Sequence, residues 1–84
     1  MKYKIICEVS LPEFEYVLDV NIPNNKTIYY VCKMLDNIIK ENIYPSYEGK
    51  KNSMLIDSKT GLPFDMNNLV SETTIKNGTK LTYY

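Results

Sequence analysis

The most nucleophilic side chains in this 84-residue chain are two thiols, Cys7 and Cys32, and the chain contains no histidine to activate them. Without His, neither a Ser-His nor a Cys-His pair can be assembled, and acid–base chemistry near neutral pH loses its usual residue. Two separated cysteines also fall short of a zinc set. Both lie among apolar neighbours in sequence, so they read as buried core thiols and not as a disulfide scaffold. The carboxylates are scattered. Glu13 and Glu15 flank a turn, Asp36 and Glu41 fall on a helix, and all four read as solvated surface groups. Gly49, Gly61 and Gly78 stand singly, with no phosphate-cradling loop around them. Neither an enzyme, a cofactor nor a metal is expected.

Charge narrows the partners. Ten basic residues, every one a lysine, balance ten acidic residues. No basic face of the kind that marks a nucleic-acid binder is apparent, and the adjacent Lys50 and Lys51 read as a solvated turn. No stretch approaches the length of apolar residues that a membrane span needs, so direct membrane insertion is not expected. Met1 to Lys4 resembles the basic start of a signal peptide, but Glu8 interrupts the apolar run behind it. A cytoplasmic, soluble, monomeric protein of one domain, residues 1–84, is the expectation.

The element around which the rest must be arranged is a helix over Thr27 to Asn42. Ile28, Val31, Cys32, Leu35, Ile38 and Ile39 recur at helical spacing and form one apolar stripe, while Tyr29, Tyr30, Lys33, Asp36, Asn37 and Lys40 form the other side. Thr27 or Asn25 can cap its start. Lys40, a left-handed Asn42 and Pro45 suit its end.

The flanking segments alternate with period two. In Lys2 to Ser10, Ile5, Cys7 and Val9 face one way and Lys4, Ile6 and Glu8 the other. Leu11 to Phe14 makes a turn. In Glu15 to Ile22, Tyr16, Leu18, Val20 and Ile22 face one way and Val17, Asp19 and Asn21 the other. Beyond a polar loop over Tyr44 to Ser53, short strands are expected at Met54 to Asp57 and at Leu62 to Asp65, the latter held to an edge by Pro63. Met66 to Lys76 reads as an ordered connection sending Leu69, Val70 and Ile75 to the core. The turn dipeptide Asn77-Gly78 introduces a last strand, Thr79 to Tyr84.

A hairpin, a crossing helix and later strands make a β-grasp order, with first and last strands parallel at the sheet centre. On the hairpin residues Ile5/Cys7/Val9 and Leu18/Val20/Ile22, the helix entry Pro23-x-x-x-Thr27-Ile28 and the run Leu69-x5-Ile75-x-Asn77-Gly78-x-x-Leu81, the chain resembles the ubiquitin superfamily. That resemblance implies an α+β fold, with one helix packed across a mixed four- to five-stranded sheet. Within the superfamily the length and the segment Leu18 to Pro23 leading into the helix look most like the YukD/EsaB family, accessory proteins of type VII secretion in Gram-positive bacteria. The resemblance implies a non-catalytic, non-conjugating role and a protein partner, such as a cytosolic domain of a secretion-system membrane component. The alternative is a ubiquitin-like modifier or sulfur carrier. It is disfavoured because such proteins end in a flexible Gly-Gly tail, whereas this sequence reads Leu81-Thr82-Tyr83-Tyr84. A small enzyme subunit or a nucleic-acid-binding β-grasp domain is a further alternative.

Ubiquitin-like domains commonly bind partners through the sheet face opposite the helix. Lys4, Ile6, Ile56, Thr82 and Tyr84 are expected there, as a modest apolar patch with a charged rim. Tyr29 and Tyr30 on the outer helix face form a second candidate patch.

Overall fold

The computed structural model describes residues 4–84. The expected Lys2 and Tyr3 of the first strand lie outside the described residues. Strand β1 (Lys4–Leu11) and strand β2 (Tyr16–Pro23) form an antiparallel hairpin, and helix α1 (Ile28–Asn42) follows. Strands β3 (Leu55–Asp57) and β4 (Lys80–Tyr83) complete a sheet of order β2-β1-β4-β3. β4 pairs parallel to β1 and antiparallel to β3, as the β-grasp order requires.

Alternation fixes which side of the sheet is dry. Cys7, Val9 and Leu11 of β1, Val20 and Ile22 of β2, Leu55 of β3 and Leu81 and Tyr83 of β4 are all buried. The helix meets them with Ile28, Val31, Cys32, Leu35 and Ile39, five of the six stripe residues, while Ile38 is only half-buried at the margin. Tyr16, expected on the inner face, is exposed, at the end of the edge strand β2 beside the last turn of the helix. Leu11 is core and belongs to β1, and the turn begins one residue later as a 3-10 helix over Pro12–Phe14. Glu15 closes that turn in a left-handed conformation, φ 51°, its N–H donating to the Pro12 carbonyl.

The helix ends differ from each other in mechanism. Thr27, and not Asn25, is the N-cap, its Oγ1 accepting from the Tyr30 N–H at 3.1 Å. Asn42 is not left-handed. Its side-chain amide instead donates to the Ile38 carbonyl at 3.1 Å, while the Ile43 and Tyr44 N–H groups both donate to the Ile39 carbonyl, so the helix ends without a reversed backbone.

Leu62 to Asp65 does not form a strand. Pro63 makes one isolated bridge to Ile56, flanked by Asp57 N–H to the Leu62 carbonyl and Phe64 N–H to the Leu55 carbonyl. Those bonds come from the residues on either side of Pro63, whose nitrogen faces away from β3. The proline therefore costs the bridge nothing and bars a further strand from adding on its outer side, and the segment serves as a cover for the β3 edge. The sheet therefore has four strands. In the connection that follows, Val70 and Ile75 are buried but Leu69 is largely exposed, its N–H held by the Glu72 carboxylate at 2.8 Å.

Candidate interaction face

The outer side of the sheet, opposite α1, is read row by row from strand register. Lys4, Ile6, Glu8 and Ser10 of β1 point outward because Cys7, Val9 and Leu11 point in. One row runs Val17, Ser10, Thr82, Ile56 across all four strands. Beside it, Tyr84 and Met54 exchange both backbone hydrogen bonds, at 3.0 and 3.1 Å, and both are exposed. On the other side lies a charged row, Asp19, Glu8 and Lys80.

This register brings Ile56, Thr82 and Tyr84 together and separates them from Ile6 and Lys4. Ile6 lies four residues along β1 from Ser10, about 13 Å at a strand rise of about 3.3 Å per residue, with the Glu8 row between. The five expected residues share one face but form two groups. The group around Ile56 also gains Val17, 57% exposed and already on the outer side by alternation, and Met54, which its pairing with Tyr84 brings beside it. Thr82 is tied down, its Oγ1 lying 2.6 Å from the Ser58 Oγ.

In the second candidate patch both tyrosines are exposed, and each ring has a lysine of the same chain over it. The Lys33 Nζ stands 5.2 Å from the Tyr29 ring centre and the Lys26 Nζ 5.3 Å from that of Tyr30. Cation–π pairing at exposed sites is worth about 0.5–1 kcal/mol, enough to bias both lysines onto the rings.

The residue whose role changes most is Asp36. Its helical position, one turn beyond Cys32, sets it at the flank of the apolar stripe, not on the solvated side. Its Oδ1 accepts the Tyr83 hydroxyl at 2.6 Å and the Tyr47 hydroxyl at 3.0 Å. The Lys33 ammonium lies 4.0 Å from Oδ2. Burial, and then the hydrogen bond to Asp36, push the Tyr47 phenol up to about 12. The same two causes raise Tyr83 as well. Tyr47 is buried in the loop after α1, where its ring meets Phe14 edge-on at 5.7 Å. A single carboxylate thus ties helix, loop and last strand together. The spacing 32 to 36 carried this signal; the tyrosine partners, 11 and 47 residues away, could not be read from it.

Both thiols are free and buried. Burial pushes Cys32 up to about 11, with the Asp36 charge adding to it, and burial likewise raises Cys7. At neutral pH both stay protonated, whereas the thiolate is the reactive form.

No family model matches the sequence, and no curated protein matches it. Solved structures do. A chain from a study of molecular mimicry of SUMO in DNA repair superposes with a TM-score of 0.82 at 15% identity, covering 100% of this chain and 94% of that one. The fold is ubiquitin-like. The EccD5 ubiquitin-like domain from Mycobacterium xenopi gives a TM-score of 0.79 at 13% identity, over 99% of this chain and 94% of that domain. A chain of the MycP5-free ESX-5 inner membrane complex gives 0.80 at 13% identity, and there the match spans 99% of this chain but only 21% of the larger partner. Among the described residues, no helix of this chain is long and apolar enough to cross a membrane.

Proposed function

We propose that this chain is a non-catalytic, non-conjugating protein-interaction domain, acting in the cytoplasm as a monomeric accessory or regulator of a type VII secretion system of the YukD/EsaB kind. Its partner is a cytosolic domain of a membrane component of that system. The observation that carries the reading is the apolar group on the open sheet face of a ubiquitin-like fold, in which exposed Val17, Met54 and Tyr84 surround a half-buried Ile56. An apolar cluster beside a charged row is the composition expected of a patch that excludes water against another protein. The likeness to the EccD5 domain and to an ESX-5 inner membrane chain supports the choice of machine.

The test uses purified wild type, an Ile56→Asp/Tyr84→Asp variant and an Ile6→Asp variant, each titrated against the cytosolic domains of the secretion-system membrane proteins from the native source. Binding by wild type that is lost in the Ile56/Tyr84 variant supports both role and face. Loss in Ile6→Asp alone would move the contact to the other side of the Glu8 row. Retention by none of those domains, together with an isopeptide adduct or thiocarboxylate in the native protein's mass spectrum, would replace the proposal with the modifier or carrier alternative.

A further inference from the structure

At the end of the sheet where β4 begins, a groove of about 640 Å³ opens between two tight turns. Residues 57–59 form one wall, residues 76–80 the other, and Thr74 completes the lining. Backbone bonds fix both walls. The Ser58 N–H donates to the Lys80 carbonyl at 3.0 Å, and the Gly78 N–H donates to the Ile6 carbonyl at 2.9 Å. The Lys76 N–H donates to the Thr79 Oγ1 at 2.9 Å, and the Asn77 side chain accepts from the Ile6 N–H at 2.8 Å.

Three lysines, Lys59, Lys76 and Lys80, line this groove. Asp57 is the one carboxylate among the lining residues, and its Oδ1 already accepts the backbone N–H groups of Lys59 and Thr60 at 2.8 and 3.4 Å. Glu8 lies beside Lys80 in the β1–β4 register. Among the described residues, however, the ion pairs are Lys33–Asp36 and Lys50–Glu13, and none of the three groove lysines has one. In a chain of zero net charge, three lysines that stand outside any ion pair among the described residues thus line one concavity, against a single lining carboxylate that is engaged by backbone N–H groups.

We propose that this groove docks an extended acidic peptide segment of a protein partner, its carboxylates pairing with Lys59, Lys76 and Lys80. The groove volume lies within the range of about 300–1,000 Å³ typical of ligand sites. The named wall N–H groups are spent within the chain, so they do not converge into the cradle that a compact phosphate favours. Separate ammonium groups instead suit charges distributed along a strand of peptide, and lysine acts as a point charge without a bidentate requirement.

The experiment titrates the isotope-labelled full chain with a Glu-Ser repeat peptide, and in parallel with a Lys-Ser repeat peptide, inorganic phosphate and a single-stranded oligonucleotide, following backbone amides by NMR. The expected result is shifts confined to residues 57–59 and 74–80 with the acidic peptide alone. They should weaken as salt rises, and affinity should fall about tenfold or more in Lys59→Glu/Lys76→Glu/Lys80→Glu. The Lys→Gln triple variant carries the same test should charge reversal unfold the chain. Three results overturn the proposal: no groove shifts at millimolar peptide, equal binding by the triple variant, or stronger groove binding by phosphate or oligonucleotide. Ile56→Asp should leave peptide binding unchanged, so this site and the sheet-face reading fail separately.

Discussion

The Tyr83 hydroxyl, in the last strand, donates to the Oδ1 of Asp36 in the helix across 2.6 Å and 47 residues of sequence. Hydrogen bonds to a charged acceptor contribute about 1.5–3 kcal/mol, and a buried donor stripped of its partner costs a comparable amount. Asp36→Ala strands two phenols at once, those of Tyr83 and Tyr47. We expect it to destabilise by about 2–4 kcal/mol in urea unfolding. Tyr83→Phe should cost less, because Asp36 keeps the Tyr47 bond. The double variant should show a coupling of about 1–3 kcal/mol. Full additivity would mean that the two side chains act independently.

The same contacts set an alkaline limit. Tyr47 is raised from an ordinary 10.0 to about 12, and Tyr83 is raised too. Between those values the folded chain retains phenolic protons that the unfolded chain has lost, so stability declines as pH rises. Melting temperature should be insensitive to these phenols below about pH 10 and should fall between about pH 10 and 12. In Tyr47→Phe the fall should be shallower. An unchanged slope would assign it to other groups.

Leu11 sits at the end of β1, only 2% exposed, and Leu35 lies mid-stripe on the helix at 1%. Each Leu→Ala change should cost about 2–5 kcal/mol, by lost burial and the cavity left behind. A cost below about 0.5 kcal/mol at Leu11 would return it to the surface turn.

At the helix start, Thr27→Ala removes the acceptor for the Tyr30 N–H and should cost about 1 kcal/mol, whereas Thr27→Ser should cost less. Equal losses for the two would show that the hydroxyl is not the stabilising group.

Gly49 has φ +84°, and a Cβ there would stand 3.4 Å from the Asp36 Oδ2. Gly61 and Gly78 are also left-handed, but a Cβ on either meets nothing within 4 Å. Alanine at any of the three should therefore cost backbone strain of about 1–2 kcal/mol, since the Gly49 Cβ would make only an ordinary van der Waals contact with the Oδ2 that the tyrosines do not use. A markedly larger loss at Gly49 would show that this contact matters. Thermal melts of the three variants rank the effect.

The helix stripe and the hairpin faces were legible because burial imposes periods of 3.6 and 2 on local sequence. The parallel meeting of β1 and β4 followed from element order. What escaped was non-local or marginal. Asp36 has a charged side chain, and its two phenolic partners arrive from a loop and a strand that no local period connects to it. The stretch Leu62 to Asp65 has strand composition, yet it makes one bridge to β3. The interaction face divided because register, which single-strand alternation does not specify, put Ser10 and not Ile6 opposite Thr82. The lysine groove depends on turns 57–59 and 76–80 meeting in space, with residues 60–75 of the chain between them.

The β1–β4 pairing joins residues more than seventy positions apart. The sheet's central seam therefore cannot close during synthesis until almost the whole described chain has left the ribosome. Up to that moment, β1 has β2 on one side and an open edge on the other, so the newborn hairpin offers a vacant lane to any passing strand. The last four-residue strand thus acts as the closing latch of biogenesis, and a lesion there should harm yield in the cell more than its share of the folded contacts would suggest.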